Sequence, residues 1–457
     1  MAATYFTCTL GQAQSLGLTN ANFKNINQFI DSQAEAVPSQ PAVGFAIPSN
    51  SDSQWKSKTW TFSDLQDGSK RVAALLQKTH GELLTKSDTV ALICPSTPEF
   101  LFTWLALMRL GHPVLLIAPQ CQPAAIAHLC KACQTAVIFH DETYADQAEE
   151  AANVTRDDGE ELHAIELPFS KDHSLSDIMA QETSDSLSFP EVKETDVAYL
   201  HHTSGTSSGV PKPIPQTHRA GAGVLPSFPD GKQCATFTTT PLYHGGVADC
   251  FRAWTSGALI WLFPGKGIPI TAANVIKCLG AAEKNAEQGL PPVKYFASVP
   301  YVLQMMEADE QGFKYLQNMD IVGVGGAALP DEVGDRMVGK GINLISRFGS
   351  AECGFLMSSH RDYAKDKAWQ YLRSNAGAEY LVFEKNEDGL SELVIRPGWP
   401  HMVRLLYKLR NQTSANVIPR PRRAVMMDHS PRPISLHHTT TFQMPGDITR
   451  VRTLNLH

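Results

Sequence analysis

Apolar positions in "FSDLQDGSKRVAALLQ" recur at helical spacing, with Leu65, Val72, Leu75 and Leu76 near one face and Ser63 placed as an N-cap. The run "TVALICP" is short and wholly apolar, as a buried strand requires. "TPEFLFTWLALMRLG" then predicts a helix ending at Gly111, "PVLLIAP" a strand, "PAAIAHLCKAC" a helix and "TAVIFH" a strand. Repeated strand–helix–strand order predicts a mostly parallel sheet covered on both faces. Residues 141–190 are polar and acidic and suggest a surface segment. The rhythm resumes after residue 234 with "ALIWLFP", "VKYFASVP", "DIVGVGGAALP" and "INLISRFG", and "ELVIRPGWPHM" reads as a strand and turn. No repeat of solenoid period is present.

From Val403 onward the periodicity is lost. After Met402 the chain has nine Lys or Arg and two acidic residues, with prolines interspersed, which predicts an unfolded tail. The expected organisation is an N-terminal arm (1–24), a large α/β domain (25–402) and a divergent basic tail (403–457).

Length and charge narrow the function classes. At 457 residues the chain exceeds one ordinary domain. A net charge of −7 gives no basic face for nucleic acid. No apolar run reaches the ~18–20 residues that span a bilayer, because Arg109, Gly111, His112 and Pro113 interrupt the best candidate. The N-terminus lacks the features of a signal peptide, and "LNLH" matches no targeting signal, which leaves the cytosol as the expected compartment. Cys130 and Cys133 have C-x-x-C spacing with no second pair at zinc distance, so they read as structural thiols on a helix that runs into a strand.

The chemistry concentrates in "HHTSGTSSGVPKP", His201 to Pro213. A phosphate cradle needs backbone N–H groups free to turn inward, which Gly205 and Gly209 permit. Thr203, Ser204, Thr206, Ser207 and Ser208 add hydroxyl donors, and Lys212 adds one positive charge. A plain Ser/Gly turn is the alternative for the stretch taken alone. The spacing is not that of the nucleotide-triphosphatase P-loop, since the lysine lies three residues past the second glycine and Pro213 follows it.

The order T-S-G-T-S-S-G-x-P-K resembles the signature of the adenylate-forming (ANL) superfamily: acyl- and aryl-CoA synthetases, luciferases and nonribosomal-peptide-synthetase adenylation domains. "PLYHGGVADCFRAW" (241–254), "GVGGAALPDEV" (323–333) and "RFGSAECG" (347–354) resemble further family motifs in the same order. In the last, Phe348 stands for the usual tyrosine and Ala351 for the threonine, while Glu352 is kept. The resemblance covers about residues 25–400, and the loop is most similar to fungal nonribosomal-peptide-synthetase-like and aryl-acid-activating enzymes.

The resemblance implies a fold of two doubly wound α/β subdomains plus a partial β-barrel. It implies ATP-dependent activation of a small carboxylic acid as an acyl-adenylate, with Mg2+ and then a thiol acceptor, CoA or the phosphopantetheine of a carrier protein. Lys212, His244 and Glu352 are the implied catalytic residues. Thr203, Ser204, Gly205, Thr206, Ser207, Ser208, Gly209, Gly326, Ala327, Phe348 and Gly349 would hold the nucleotide, and Glu352 with Thr206 the metal. Gly325 joins Gly326 and Ala327 in letting ligands approach the backbone. Each has a plainer reading: Phe348 as core, His244 as a packed histidine, Glu352 as a solvated loop residue, the glycines as a tight turn before Pro330. Asp249, five residues past His244, does not match the aspartate by which amino-acid-activating members hold an amine. An aryl, keto or fatty acid is therefore expected.

Two family elements have no counterpart: a T-G-D segment for the ribose, which the Gly446-Asp447 pair does not match, and the small C-terminal subdomain with its lysine. The change near Val403 points to a truncated product, a retained intron or a shifted frame. It predicts weak or absent adenylation with ATP binding kept. A non-catalytic nucleotide- or acid-binding remnant, or one half of a split synthetase, is the alternative.

Overall fold

A computed structural model describes residues 2–49, 54–157, 159, 161–169, 174–181, 188–203, 210–373, 380–385, 391–401, 434–435, 439–444 and 448–453. Two large sheets organise it. The first has six strands in the order His163–Glu166, Val137–His140, Val90–Ile93, Val114–Leu116, Val197–His202 and Pro213–Thr217. Its first five strands are parallel and the last is antiparallel. The second has eight, in the order Gly354–Ser358, Leu344–Ser350, Ile321–Gly325, Val293–Ser298, Ala235–Thr238, Ile260–Leu262, Pro41–Ile47 and Lys56–Thr61. Only its two edge strands are antiparallel. The central strands Val90–Ile93 and Val114–Leu116 are buried at every position, which is why they read as unbroken apolar runs.

The helices follow the expected order, with differences at their ends. The helix Phe62–Leu84 is capped by Thr61, not by Ser63. Thr61 is still extended, and its hydroxyl accepts from the Asp64 N–H while the Asp64 carboxylate accepts from the Thr61 N–H at 2.7 Å. Ser63 already lies within the first turn. The helix Pro98–Arg109 is capped by Thr97, with proline opening its first turn and Gly111 at φ +84° beyond its end. Its Arg109 is buried and donates to both oxygens of Asp31, at 3.2 and 2.7 Å. The polar stretch after residue 141 includes the helix Ala145–Asp157, which buries Ala148, Ala151, Ala152 and Thr155. A stripe of small residues is enough to seat a helix otherwise rich in acid. Cys130 and Cys133 are buried free thiols at the end of the helix Pro123–Ala132.

The N-terminal residues are packed into the body. Tyr5, Phe6, Cys8 and Leu10 are buried, and the Tyr5 hydroxyl lies 2.8 Å from that of Thr236. Leu381–Lys385 and Ser391–Ile395 form a four-stranded antiparallel sheet with Ile448–Thr453 and Thr439–Met444. Three strands, those two and Ile434–Ser435, thus fall within 403–457, where the sequence alone suggests an unfolded tail. Other parts of that stretch, including Gly446 and Asp447, lie outside the described residues.

Candidate active site

The hydroxyl- and glycine-rich stretch joins the antiparallel pair Val197–His202 and Pro213–Thr217, with His202 opposite Pro213. Thr203 and Lys212 close the neck: the Thr203 N–H donates to the Lys212 carbonyl at 3.0 Å, and the Lys212 N–H donates to the Thr203 hydroxyl at 2.9 Å. The second strand is a sheet edge, where Pro213 and Pro215 are tolerated. His202 buckles the neck onto the sheet. Its Nε2 accepts from the Ala118 N–H at 3.0 Å and its Nδ1 donates to the Thr203 carbonyl at 2.9 Å. Both ring nitrogens are thus used by the neutral form, and burial pushes the ring's pKa down. Lys212 is exposed, and its ammonium has no ion-pair partner among the described residues. Ser204, Gly205, Thr206, Ser207, Ser208 and Gly209 lie outside the described residues.

His244 sits in a wide helical turn, Leu242–Gly246, where its own φ/ψ of −128°/−144° break the helix. The turn is fixed at one end by the Leu242 N–H donating to Ser96 Oγ at 2.8 Å, a contact between segments that follow strands of the two large sheets. At the other end Gly246 is required: a Cβ there would fall 2.5 Å from the Thr240 carbonyl oxygen. His244 is exposed, and its ring faces His201 at 6.5 Å between centroids. His201 is buried, and burial followed by His244 pushes its pKa down to about 3. Burial, and His202 after it, also lower the His244 pKa, so both rings are neutral near physiological pH and can flank an anion without adding charge.

Glu352 belongs to the turn between Leu344–Ser350 and Gly354–Ser358, and three contacts pin that turn. Gln216 Nε2 donates to the Ala351 carbonyl at 2.7 Å, Trp399 Nε1 donates to the Cys353 carbonyl at 2.8 Å, and the Cys353 N–H donates to Ser350 Oγ at 3.2 Å. Gln216 lies on the strand that Lys212 leads into, four residues on, or ~13 Å of extended chain. The loop neck and the Glu352 turn thus share one edge strand. Glu352 is half-buried and has no hydrogen-bond or ion-pair partner among the described residues, a state that suits a carboxylate awaiting a hard cation. Gly349 is dictated sterically, since a Cβ would lie 2.2 Å from the Gly354 carbonyl oxygen. Gly326 takes φ +79° and, with Ala327, is exposed at the end of the strand Ile321–Gly325. Phe348 is buried in the main core.

Sequence reasoning did not single out His202, Gln216, Trp399 or His401, whose Nε2 lies 3.4 Å from the Ala351 carbonyl oxygen. Gln216 had a signal, a polar residue alternating with prolines on a strand. Trp399 had one as well, an aromatic within "PGWP". Asp249 is tied to Thr238 Oγ1 at 2.9 Å and to Arg347 at 3.4 Å, so its carboxylate is engaged by the protein itself.

Among the described residues no helix is long and apolar enough to cross a membrane, and no cluster of three or more His, Cys, Asp or Glu could hold a metal alone. The chain resembles the non-canonical non-ribosomal peptide synthetase ascB of Acremonium egyptiacum, 29% identical over 66% of this chain and 27% of that protein. It also resembles the adenylate-forming reductase stbB of Stachybotrys bisbyi, 28% identical over 59% of this chain and 25% of that protein. 4-Coumarate–CoA ligase 1 of Arabidopsis thaliana is 26% identical over 67% of this chain and 55% of its own length. The chain spans about a quarter of the two fungal relatives it matches. The same fold occurs in the o-succinylbenzoate CoA synthetase of Bacillus subtilis, with a TM-score of 0.61 at 17% identity over 84% of this chain and 71% of that one. The family model for AMP-binding enzymes matches residues 30–378, which include the loop neck, the His244 turn and Glu352, and the chain belongs to that family.

Proposed function

We propose that this chain uses ATP to activate a carboxylic acid without an α-amine, an aryl, keto or fatty acid, as its acyl-adenylate. A carboxylate oxygen attacks the α-phosphorus, the bond to the bridging oxygen of pyrophosphate breaks, and pyrophosphate leaves. Lys212 and the backbone and hydroxyl donors of 203–209, Thr203 and Thr206 among them, meet the phosphate charge. Gly326, Ala327 and Gly349 let the nucleotide lie close to the backbone, with Phe348 beneath it. Neutral His244 flanks the acid's carboxylate. Glu352 and Thr206 would hold Mg2+, which would supply further positive charge to the phosphates.

The observation that carries this reading is the shared edge strand, which joins the Lys212 neck to the turn bearing Glu352, unpaired among the described residues. The engaged Asp249 supports an acid with no amine to hold. Similarity to a CoA ligase supports CoA as the acceptor, and similarity to a peptide synthetase supports a carrier thiol. Secondary metabolism is the proposed setting. Acid-dependent pyrophosphate release, measured over a panel of aryl, keto and fatty acids, tests the proposal. Lys212→Ala is expected to lower the rate by about 10²-fold, as for loss of one electrostatic donor. Absence of acid-dependent release across the panel would remove the reading.

A further inference from the structure

On one face of the eight-stranded sheet, strand register places Thr238 beside Ala297, Ala297 beside Gly323, and Gly325 beside Arg347. The three small residues leave a trough between Thr238 and Arg347. It is occupied: a Cβ on Gly323 would fall 2.8 Å from both Arg347 Cδ and Phe6 Cζ. The Arg347 guanidinium lies 4.5 Å from the centre of the Phe6 ring and 5.0 Å from that of Phe355. Two aromatic faces hold it in place with no demand on its N–H groups.

Those N–H groups are underused. Arg347 reaches Asp249 Oδ1 at 3.4 and 3.5 Å, both long for a charge-assisted bond, and its Nε has no partner among the described residues. Asp249 divides its carboxylate with the Thr238 hydroxyl. One turn further along the same helix, Val247–Trp254, Arg252 is buried. It donates to the carbonyls of Tyr5 and Cys8, at 3.1 and 2.8 Å, and rests 4.8 Å from the Phe355 ring centre. Burial, and Arg347 after it, pull the Arg252 pKa down to about 9. The other titratable groups around the pair are neutral. Burial raises Cys8 to about 11 and Tyr5 further, and lowers His401 to about 4. Two guanidinium groups therefore face one carboxylate, an excess of one positive charge in a largely desolvated place. Such an excess is costly unless an anion completes it.

Exposure along this helix, the turn before it and the strand of Arg347 points to where the anion enters. His244 and Ala248 are exposed, Asp249 and Arg347 are 13% and 14% exposed, and Arg252 is 5% exposed. The strand bearing Gly323 ends in exposed Gly326 and Ala327. A molecule whose carboxylate lies by His244 would extend inward toward Arg347.

We infer that Arg347, held between Phe6 and Phe355, ends the acid pocket and selects acids with a second anionic oxygen, a carboxylate above all, remote from the reacting carboxylate. The N-terminal arm is thereby part of substrate recognition, with Phe6 a positioning residue. This rests on the acid-activating function proposed above and narrows its substrate class.

The test is ATP–pyrophosphate exchange with matched acids: benzoate against terephthalate, hexanoate against adipate, and longer homologues of each. The readout is the ratio of kcat/KM for diacid over monoacid, which a loss of folded enzyme does not move. The wild type is expected to favour one diacid by about 100-fold, the discrimination that a buried polar partner left unpaired can give. The neutral pair Arg347→Met with Asp249→Asn is expected to bring the ratio within a few-fold of unity. Phe6→Leu, which keeps the apolar volume, is expected to lower the ratio by about 3- to 10-fold with the KM for ATP unmoved. A wild type that prefers monoacids, or a ratio unaffected by these changes, overturns the inference and leaves acid activation standing. Exchange with neither series, when the wider panel also releases no pyrophosphate, removes both.

Discussion

Lowering the pH from 7.5 to 5 is expected to destabilise this protein steeply, because three buried histidines are held neutral. His201, His218 and His401 are 7%, 2% and 8% exposed. Burial is the main cause in each, pushing their pKa values down to about 3, 4 and 4. His218 Nδ1 accepts the Ile26 N–H at 3.2 Å, an arrangement that protonation would break. The unfolded chain titrates near about 6.5, so below that pH it binds protons that the folded chain refuses. The folded values are depressed, so the stability is present in full above about pH 6.5 and is lost as pH falls toward 4. At pH 5 each group costs about 2 kcal/mol, and the three together about 6 kcal/mol, on the scale of a whole domain's stability. Carboxylates contribute little in this window because unfolded Asp and Glu titrate near about 4. The assay is guanidinium unfolding at pH 7.5, 6 and 5, followed by tryptophan fluorescence. The midpoint should fall at each step, and His201→Phe should recover about a third of the loss. A midpoint that stays level or rises toward pH 5 would refute the reasoning.

Other substitutions probe the frame of the site. Gly349→Ala should cost about 1–3 kcal/mol by overpacking against the Gly354 carbonyl, read as a lower thermal midpoint, and should displace the Glu352 turn. Asp31→Ala should cost about 3–5 kcal/mol by stranding buried Arg109, whereas Asp31→Leu with Arg109→Met should recover most of it; both are read by chemical unfolding. Cys130 and Cys133 should resist a thiol reagent at pH 8 until the protein unfolds, since burial raises both thiols, Cys133 to about 12; mass spectrometry of the labelled protein reads this.

Much of the scaffold could be read from the chain because buried parallel strands and their covering helices leave strong patterns. "TVALICP" and "PVLLIAP" have no polar position to mislead, and Thr97 with Pro98 marks a helix start in plain view. What escaped was decided by distant contacts. Ser63 looked like a cap because a serine precedes an apolar run, but the strand continues to Thr61 and the box closes two residues earlier. The polar stretch after residue 141 hid a helix seated by alanines, whose weak hydrophobicity gives little signal. Lys212 is marked by its loop of small hydroxyl and glycine residues, whereas His244 and Glu352 are marked only by the resemblance of their motifs. Their supports are not, since Gln216 meets Ala351, and Trp399 meets Cys353, only after the chain has folded. The Arg347–Asp249 pair is the extreme case: its partners come from residues 6, 238 and 355, and no local pattern joins them.

The central claim is that the Lys212 neck and the Glu352 turn enclose one ATP whose α-phosphorus a carboxylate attacks. Acid-dependent exchange of labelled pyrophosphate into ATP measures that step alone, without any thiol. The account predicts exchange with at least one acid, lowered about 10²-fold by Glu352→Gln and likewise by Lys212→Ala. Exchange that proceeds undiminished in both variants would contradict it.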